Sequence, residues 1–539
     1  MSKFYVTTAI DYPSGLPHIG HLYEKILADT YARWYRLQGD QVYFLTGTDE
    51  NGQKLQKAAR DQGFSSVQEF VDRNAGVFLN LSEQANISYS DFIRTTEPRH
   101  QQVVTDVWHK LWDQGDIYQG EYSGSYCYGC EQFISPSQVL HQDGKNICPV
   151  HLTELTELSE DGYYFKLSRY QDKILSHLTH HHEFIFPETA YTDILTRLQA
   201  EPLKDLPISR KNQGWGIPIP QDQNYVIYTW FDALINYYTP TVSGAMPQHV
   251  WPSDVHVIGK DINWFHSVVW PGILMALNLP LPKKIFVHGM ILDQDGRKMS
   301  KSLGNIICPM ELMASFPLDT LRYIFLRSVP SGKDGKVSAQ LIARAHNGEL
   351  ANELGNLVSR VIKLALKKNL AVIPPLLMTQ LSQTNSEESL ALYQPTFIDC
   401  CHLLMAQYRH DQVMNHLFAE ISELNIGMNR IQPWSLAESE PKLQAVLYTL
   451  IIRIYLFAYF LQAFLPDTAT RIFHVITAKY PQNQNSTTQV KDILAMMTSR
   501  QKTQDTSYLP TFYLRSPDPL FRKINLESTS CQAELNAGS

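Results

Sequence analysis

The N-terminal segment alternates a strand-like run, a turn, a long helical pattern and a second strand-like run. Phe4–Ile10 is rich in residues that favour strands, and the turn Asp11–Gly15 follows it. Apolar residues then recur at helical spacing from about His18 to Leu37, and Gln41–Thr46 forms the second run. A strand, a helix and a strand in this order predict a βαβ unit, which makes a parallel sheet the expected framework of the fold.

The chain is too long for a single compact domain, and its pattern changes several times along the 539 residues. Short strands, turns and clustered cysteines interrupt the α/β rhythm over 118–224, and strand-like runs resume at Tyr225–Thr229, Val255–Gly259 and Ile285–His288. From about residue 338 the pattern is helical, and a polar stretch rich in Gln, Asn, Ser and Thr begins near residue 481. We therefore predict a parallel α/β domain with an insertion, followed by an all-helical domain. The predicted boundaries are 1–117 and 225–291 for the two halves of the α/β domain, 118–224 for the insertion, 292–337 for a connecting region, 338–480 for the helical domain and 481–539 for a linker and tail.

Composition narrows the class of protein. Apolar residues make up 44% of the chain and charged residues 18%, so sizeable cores can form. The apolar run Ala445–Leu461 is nearly long enough to span a bilayer, but the central Arg453 would cost about 2.5–3.5 kcal/mol there. A buried helix of a soluble protein with no membrane partner is the better interpretation. A net charge of −7 argues against a general polyanion binder, although a local basic surface could still hold a specific RNA.

Two segments carry residues suited to phosphate chemistry. The first is Pro17–His21, which lies where the first strand turns into the first helix. Ligands collect at the carboxyl ends of parallel strands, and a helix N-terminus offers free backbone N–H groups to a phosphate. Gly20 permits the close approach of a flat ring, and the imidazoles of His18 and His21 can donate hydrogen bonds to phosphoryl oxygens. The tetrapeptide alone is a weak signal, which its position after a strand strengthens.

The second segment is Gly296–Asn305, which holds two lysines and two serines within five residues. A cationic loop of this kind can move onto a triphosphate and neutralise the charge that develops on a leaving pyrophosphate. A solvated basic turn is the alternative interpretation, and most runs of this composition are such turns.

These two segments resemble the signatures of a known family. Residues 298–302 match the Lys-Met-Ser-Lys-Ser signature of class I aminoacyl-tRNA synthetases, and residues 18–21 match the His-Ile-Gly-His signature of the same class. The flanking sequence resembles methionyl-tRNA synthetases over nearly the whole chain. The stretches that match this family are Thr46–Gly52, Ile208–Arg210, Trp215–Pro218, Tyr228–Ala233, Ile258–Ile262, Phe265–His266 and Val287–Gly289.

The resemblance implies a Rossmann-type catalytic domain with a zinc-bearing connective insertion, a signature-loop and stem-contact region, and an all-α anticodon-binding bundle. The implied activity is that of a methionine–tRNA ligase, which converts L-methionine and ATP into methionyl-adenylate and pyrophosphate. Methionine then passes to the 3′-terminal adenosine of tRNA(Met), and AMP is released. Mg²⁺ would accompany the ATP.

Position by position, the resemblance assigns two groups of ligand-binding residues. The methionine pocket would comprise Ile10, Tyr12, Asp49, Trp230, Ala233, Tyr237, Ile262 and His266. The ATP site would comprise His18, Gly20, His21, Gly259, Asp261, His288, Ile291, Lys298, Ser300 and Lys301, with His18, His21, Lys298 and Lys301 as the catalytic residues. The methionine set is chemically sensible, because aromatic faces favour a thioether sulfur and a carboxylate suits the substrate ammonium. Tyr237 and His266 would present a hydrogen bond to the sulfur.

A cysteine cluster predicts one metal site. Cys127 and Cys130 are followed by Cys148 and His151, which gives four ligands in two hooks whose spacing can close a tetrahedral Zn²⁺ site. The zinc would be structural, because a filled tetrahedron leaves no place for substrate, and the family resemblance implies the same zinc knuckle. Two unrelated turns with buried cysteines are the alternative. We assign no metal to His177 and His180–His182, which have no partner at ligand spacing, and we expect an exposed helix end there.

The helical C-terminal part resembles the family's anticodon-binding bundle. Asn356 and Arg360 share one helix face, and Trp434 corresponds to the aromatic residue on which an anticodon base stacks. Their counterpart would be the unpaired anticodon of tRNA(Met). Pro517–Phe521 resembles the end of the catalytic core in this family. We expect a monomer, because no extra dimerisation or tRNA-binding domain follows this segment. Scattered cysteines without a disulfide framework, and the lack of an evident transit peptide, favour the cytoplasm.

Two positions depart from the family pattern. Asn51 stands where histidine is common, and Asp11 puts a charge where many relatives have none, so we expect Asp11 to point to solvent. Two alternatives also compete with the assignment. Synthetases for isoleucine, leucine or valine usually carry a larger insertion, and a cysteine enzyme would carry its zinc in the active site. A non-catalytic RNA-binding scaffold would bind tRNA without pyrophosphate exchange, but every signature histidine and lysine is present.

Overall fold

A parallel sheet of six strands forms the framework of the N-terminal half. The computed structural model describes residues 2–127, 132–134, 139–142, 144–150, 152–299, 305, 307–375, 395–479 and 510–525. The strands are β1 (Lys3–Thr8), β2 (Gln41–Thr48), β3 (Asp91–Arg94), β4 (Ile185–Phe186), β5 (Val255–Gly259) and β6 (Ile285–His288). They lie in the order β3-β2-β1-β5-β6-β4, and each neighbouring pair is parallel. The predicted parallel α/β framework is confirmed.

Alternate side chains of these strands enter two separate cores, one on each face of the sheet. Phe4 and Val6 of β1 lie in one core, whereas Tyr5 between them lies in the other. In β6, Phe286 joins the first core, and its neighbour Ile285 joins the second. The strands are apolar on both sides because elements of the chain cover both faces, as is typical of parallel sheets.

Helix α1 (Ile19–Leu37) connects β1 to β2 and packs on the first face of the sheet. Its predicted core positions Leu22, Ile26 and Tyr31 are buried. Together, β1, α1 and β2 form the predicted βαβ unit, with Val6 opposite Phe44 in the β1–β2 register.

The strand order reverses between β1 and β5. From this junction the sheet continues to β2 and β3 on one side and to β6 and β4 on the other. Ligands of doubly wound sheets bind in the crevice at the carboxyl ends of the strands, where the order reverses. The segment after β1, which leads to α1, and the segment after β5 both begin at this crevice.

Antiparallel strands dominate the chain between β3 and β5. A four-stranded sheet comprises Ile117–Cys127, Gln132–Phe133, Thr156–Phe165 and Leu206–Pro207, a hairpin comprises Leu140–Gln142 and Lys145–Ile147, and a three-stranded sheet comprises Ser209–Lys211, Pro218–Ile219 and Asp222–Ile227. The expectation that Tyr225–Thr229 resumes the parallel sheet is wrong. This strand ends at Ile227 and pairs antiparallel with Ser209–Lys211, since its polar first half is exposed and does not suit a strand covered on both faces.

The edge strand β4 comes from within the range 118–224, so residues of the predicted insertion also contribute to the parallel sheet. Helices cover the sheet and connect its strands. In this half of the chain they are Gln53–Asp61, Val67–Gln84, Pro98–Asp113, Gln171–His180, Glu188–Ala200, Thr229–Ile235, Thr239–Val242, Trp270–Ala276, Pro309–Ser315 and Leu318–Tyr323.

Helices also dominate the C-terminal part. They are Ala339–Ala345, which continues through the wider turns of His346–Gly355 into Asn356–Lys367, then Pro395–Ala406, His410–Ile431, Pro441–Leu461 and Pro466–Val475. We expected an all-helical region, and this expectation is wrong. Val372–Ile373, Thr511–Leu514 and Ile476–Lys479 form a small antiparallel sheet in that spatial order, because the segment 510–525 returns to pack on the helices.

The apolar helix Pro441–Leu461 lies inside this part of the protein. Its length and composition would suit a membrane span, but 94% of its most apolar window is buried within the protein. Arg453 is nearly fully buried and pairs with Glu420 of the neighbouring helix His410–Ile431. The prediction of a buried helix is confirmed.

A buried arginine joins the two halves of the molecule. Arg322 Nη1 lies 2.7 Å from Asp29 Oδ2 of α1, and both side chains are fully buried. The same guanidinium donates to the carbonyls of Ala463 and Phe464, which follow the apolar helix. The helical part is therefore fixed against the face of the sheet that α1 covers.

Candidate active site

A cavity of about 520 Å³ opens at the carboxyl ends of β1 and β5. All the described residues of the two predicted ligand sets line it, although they come from distant parts of the chain. From the methionine set these are Ile10, Tyr12, Asp49, Trp230, Ala233, Tyr237, Ile262 and His266, and from the ATP set His18, Gly20, His21, Gly259, Asp261, His288, Ile291 and Lys298. Ser300 and Lys301 lie outside the described residues.

Two histidines cap the N-terminus of α1. The backbone N–H of Gly20 donates to His18 Nδ1 at 3.1 Å, and the backbone N–H of His18 donates to His21 Nδ1 at 3.0 Å. Both rings thus satisfy N–H groups that a helix start leaves without helical partners. A histidine nitrogen that accepts such a bond carries no proton, so the proton of each ring is on Nε2.

The histidines are therefore neutral donors. Removal from water lowers the pKa of each ring to about 3, with a further contribution from His21 on His18 and from Lys25 on His21. The rings stack with their centroids 3.8 Å apart, which fixes their orientation. Two neutral N–H donors at a helix N-terminus form a site for a phosphoryl group.

Gly20 is required by this arrangement. A Cβ at position 20 would lie 2.9 Å from His18 Cε1 and 3.0 Å from His18 Nδ1. The ring of His18 thus folds back over Gly20 at the helix start, and the predicted approach of a ligand's flat ring to Gly20 stays a prediction.

A buried pair lies on the side of the cavity that the predicted methionine set lines. Tyr237 Oη is 2.7 Å from His266 Nε2, and His266 Nδ1 is 3.0 Å from the carbonyl of Ile262. The carbonyl can only accept, so Nδ1 carries the ring proton and Tyr237 donates to Nε2. Burial lowers the pKa of His266 to about 4 and raises that of Tyr237. The hydroxyl oxygen is consequently held as a neutral group at the cavity wall.

Asp49 follows β2 and supplies a carboxylate to the same side. Thr229 Oγ1 donates to Asp49 Oδ2 at 3.0 Å, which orients the carboxylate from the first residue of the helix Thr229–Ile235. The next residue, Trp230, stacks on Phe265 with the ring centroids 4.0 Å apart and the planes at 4°. Phe265 also lines the cavity but was not among the predicted site residues, because a lone aromatic in a sequence reads as core.

His288, at the end of β6, differs from the other cavity histidines. Its Nε2 lies 2.9 Å from Glu24 Oε2, and its Nδ1 lies 2.8 Å from the carbonyl of Gly289. Burial opposes a charge on the ring, but the acceptors at both nitrogens raise the pKa of His288. Glu24 was missed from the sequence, although its position three residues after His21 on α1 gives it the same helix face.

The described ends of the second signature segment are tied to one carboxylate. Asp293 accepts from the backbone N–H of Arg297 at 2.8 Å and from Asn305 Nδ2 at 2.9 Å. These hydrogen bonds, led by those to Arg297, lower the pKa of Asp293 to about 2. Lys298 lies between these anchored positions and lines the cavity.

The expectation that Asp11 points to solvent is wrong. Its side chain is buried, and Oδ2 lies 2.5 Å from Nζ of Lys25, which is itself 1% exposed. An aspartate is buried here because a lysine one helical turn after His21 reaches it. Asn51, the second departure, is also buried and donates to Asp232 Oδ2 at 2.8 Å rather than lining the cavity.

Two of the four predicted metal ligands are described. Cys127 and Cys148 are both buried and belong to one small cluster with Ile134 and Leu155. Cys130 and His151 lie outside the described residues. Within the described part of the chain, no group of three or more potential metal ligands occurs. At the other histidine-rich segment, His180–His182 are exposed at the end of the helix Gln171–His180, as expected.

The predicted anticodon residues lie on the helical part, far from the cavity in sequence. The Arg360 guanidinium lies 5.6 Å from the centre of the Trp434 ring, which is 43% exposed. Arg360 Nη2 also donates to Asn429 Oδ1 at 2.9 Å. Asn356 is exposed one turn earlier on the same helix. The structure brings Arg360 and Trp434 together. Among these described residues, it shows no hydrogen bond or ring contact between Asn356 and either of them.

Comparison with known proteins agrees with the geometry. The family of class I tRNA synthetases for methionine, "tRNA synthetases class I (M)", matches residues 4–362. A methionine–tRNA ligase of Caldanaerobacter subterraneus is 40% identical over 477 residues, which cover 87% of this chain and 73% of the relative. That of Rhizobium meliloti is 39% identical over 484 residues, which cover 88% and 92%.

Solved structures match as well. The methionyl-tRNA synthetase of Mycobacterium tuberculosis in complex with methionyl-adenylate superposes with a TM-score of 0.85 at 32% identity, covering 97% of this chain and all of that one. The apo form of the same enzyme gives a TM-score of 0.79 at 30% identity, covering 97% and 99%. The chain therefore belongs to the methionine–tRNA ligases of the class I aminoacyl-tRNA synthetases.

Proposed function

We propose that the chain activates L-methionine with ATP, forming methionyl-adenylate and pyrophosphate, and then transfers methionine to the 3′-terminal adenosine of tRNA(Met). The cavity at the β1–β5 junction carries this proposal. It joins an apolar aromatic side, with the Tyr237–His266 pair and Asp49, to a phosphate side with the histidine cap of α1. The aromatic side suits methionine and the phosphate side suits ATP, so the methionine carboxylate and the α-phosphate can meet between them.

Recognition of methionine follows from the groups on the aromatic side. The Asp49 carboxylate would bind the ammonium group, and the Trp230 and Tyr12 rings would contact the thioether. Tyr237 donates a hydrogen bond to His266, so its oxygen is oriented before the substrate arrives. Ile10, Ala233 and Ile262 would complete the pocket. A site so arranged favours a neutral side chain of this length.

Activation needs charge stabilisation more than covalent chemistry. The methionine carboxylate oxygen attacks the α-phosphorus of ATP, and the bond to the leaving pyrophosphate breaks. We assign the Nε2–H groups of His18 and His21 to the phosphoryl oxygens, and the lysines Lys298 and Lys301 to the negative charge that moves onto pyrophosphate. Ser300 would bind the same phosphates, and Mg²⁺ bound to ATP would neutralise part of their charge.

The adenosine side would be formed by the ends of β5 and β6. A Cβ at Gly259 would lie 2.8 Å from Asp261 Oδ1, so only glycine leaves that carboxylate close to the strand end. His288 and Ile291 line the same region. We assign Gly259, Asp261, His288 and Ile291 to the adenosine.

Transfer requires the tRNA. The 3′-terminal ribose hydroxyl attacks the carbonyl carbon of methionyl-adenylate, and AMP leaves. We assign reading of the anticodon to Asn356, Arg360 and Trp434, because an exposed aromatic face beside a guanidinium is suited to an unpaired base.

We also infer one structural Zn²⁺ held by Cys127, Cys130, Cys148 and His151. The burial of Cys127 and Cys148 in one cluster supports this, since thiolates so placed suit a closed zinc site. The metal would crosslink two loops of the insertion. Metal analysis of the purified protein should give about one zinc per chain. Cys148→Ala should lose it, and a metal-free wild-type protein would contradict the assignment. We further propose a cytoplasmic monomer.

The test of the function is ATP–pyrophosphate exchange with each of the twenty amino acids. Exchange that depends on methionine alone, followed by charging of tRNA(Met), is the expected outcome. Exchange with a different amino acid would refute the pocket assignment, and tRNA binding without any exchange would favour a scaffold protein.

A further inference from the structure

We propose that Asp11 and Lys25 form a positioning pair that joins the methionine side of the cavity to the two signature histidines. The proposal rests on the proposed function, because it concerns the same cavity. The pair is nearly sealed from solvent, with Asp11 6% and Lys25 1% exposed, and its charged atoms lie 2.5 Å apart. Asp11 lines the cavity, whereas Lys25 lies beneath it.

The backbone of Asp11 holds the methionine side. Its N–H donates to the carbonyl of Gly47 at 2.9 Å, and its carbonyl accepts from the N–H of Asp49 at 2.8 Å. Asp49 is the carboxylate that would bind the substrate ammonium. The position of this carboxylate therefore depends on where the segment after β1 lies.

The side chain of Asp11 holds the phosphate side. Lys25 lies four residues after His21 on α1, hence on the same helix face. Its Nζ also donates to Thr46 Oγ1 of β2 at 3.0 Å, and Thr46 Oγ1 accepts in turn from Thr8 Oγ1 of β1 at 2.8 Å. Helix α1 cannot shift relative to Asp49 without breaking this network, and loss of one partner of a buried ion pair is strongly unfavourable.

The pair also determines the charge near the histidines. Asp11 Oδ1 lies 3.9 Å from His21 Nε2, and Lys25 acts on the same ring from one turn along α1. The other groups that face His21 are the stacked ring of His18 and the edge of Phe78, both uncharged. The charged groups that act on His18 from the neighbouring loops are Asp11 itself, Asp261 and Lys298. The complete pair adds no net charge beside His21. Asp11 alone would add a negative charge there, and Lys25 alone would add a positive one.

Three variants test the pair in methionine-dependent exchange: Asp11→Asn, Lys25→Met and the double variant D11N/K25M. Each single change leaves a buried charge without its partner, and we expect kcat to fall by about 100-fold with a higher KM for both substrates, as for a misplaced reactant pair. The double variant leaves no unpaired charge, so its kcat should recover to within about 5-fold of wild type. This recovery keeps the test valid if a single variant does not fold.

The pH profile separates positioning from a general loss of structure. In Lys25→Met the Asp11 carboxylate faces His21 without its lysine partner. An opposite charge at that distance raises a histidine pKa by about 1–3 units. The acid limb of kcat/KM should therefore move to higher pH in this variant and return in the double variant. In Asp11→Asn it should not move to higher pH, because the unpaired Lys25 opposes protonation of His21. A purely structural defect would lower the rate equally at all pH values.

Asp29→Asn is the matched control. It breaks a fully buried ion pair on the same helix, at 2.7 Å from Arg322, but away from the cavity lining. It should lower the melting temperature without changing either KM or the pH profile. Absence of exchange in the wild-type protein would refute the proposed function, not the pair. With an active wild type, two outcomes would refute the pair. One is a kcat/KM in the single variants equal to that of the wild type, and the other is a folded double variant whose activity is as low as that of the single variants.

Discussion

Replacing Gly20 by alanine should remove most of the activation rate while leaving the protein folded. The added Cβ would lie 2.9 Å from His18 Cε1, which is closer than a methyl group can approach. The His18 ring must therefore shift away from the start of α1. We expect the shift to break its hydrogen bond from the Gly20 N–H and to weaken its stacking on His21, so that one of the two proposed phosphate donors loses its orientation.

The expected magnitudes differ for stability and for rate. Loss of one hydrogen bond costs about 1 kcal/mol, and alanine in a helix gains about 0.5–1 kcal/mol over glycine, so the free energy of unfolding should change little. Removing one preorganised donor to a developing oxyanion costs about 2.7–4 kcal/mol, which corresponds to a loss of about 100- to 1000-fold in kcat. Rate and stability should therefore separate in this variant.

Pyrophosphate exchange and thermal unfolding, measured on the same preparation, check the prediction. Gly76→Ala is the control, because it places a Cβ on the helix Val67–Gln84 with no atom within 4 Å. It should retain full activity and unfold at a slightly higher temperature. If Gly20→Ala kept kcat within about 3-fold of wild type, His18 would not be a phosphate donor and the reasoning from the cap would fail.

Three further outcomes are expected. Tyr237→Phe leaves His266 Nε2 buried without its donor, so the KM for methionine should rise by about 10-fold with little change in the KM for ATP. Trp434→Ala removes a base-stacking face and should lower kcat/KM for tRNA by about 10-fold or more, whereas exchange without tRNA stays unchanged. In Glu24→Gln, His288 loses the partner that raises its pKa. That pairing stabilises the fold below the ordinary histidine pKa and is lost as pH rises through the raised one, so the decrease in melting temperature should be larger at pH 6 than at pH 9.

Much of the framework could be predicted because the chain is locally consistent. The apolar period of α1 and the strand-like runs on either side left one topology for the N-terminal segment. Tyr225–Thr229 misled the prediction, because a short run of aromatic and branched residues suits either a parallel or an antiparallel strand. The strand Thr511–Leu514 was also missed, since a short strand far along the chain gains its partners only from tertiary packing.

The site was predicted less evenly. His18 and His21 were identified by position, but their role as helix caps, and hence their protonation state, required backbone geometry. Asp11 was placed in solvent because a lone acidic residue usually lies there. The signal that could have corrected this was Lys25, since Asp11 lies close before α1 and Lys25 shares a helix face with His21. A pair of opposite charges so placed is suited to burial together.

The distribution of charge indicates where catalysis gains its energy. Three basic groups in or near the cavity each have an acidic partner: Lys25 has Asp11, His288 has Glu24, and Lys260 has Asp334. The capping histidines are neutral. At these three groups ATP would meet positive charge that already has an acidic partner, which limits how much they strengthen binding of the ground state. Lys298 belongs instead to the segment anchored by Asp293, and in the proposed mechanism it supplies charge as pyrophosphate departs. Interactions that strengthen only in the transition state raise kcat, whereas equal binding of substrate and transition state does not.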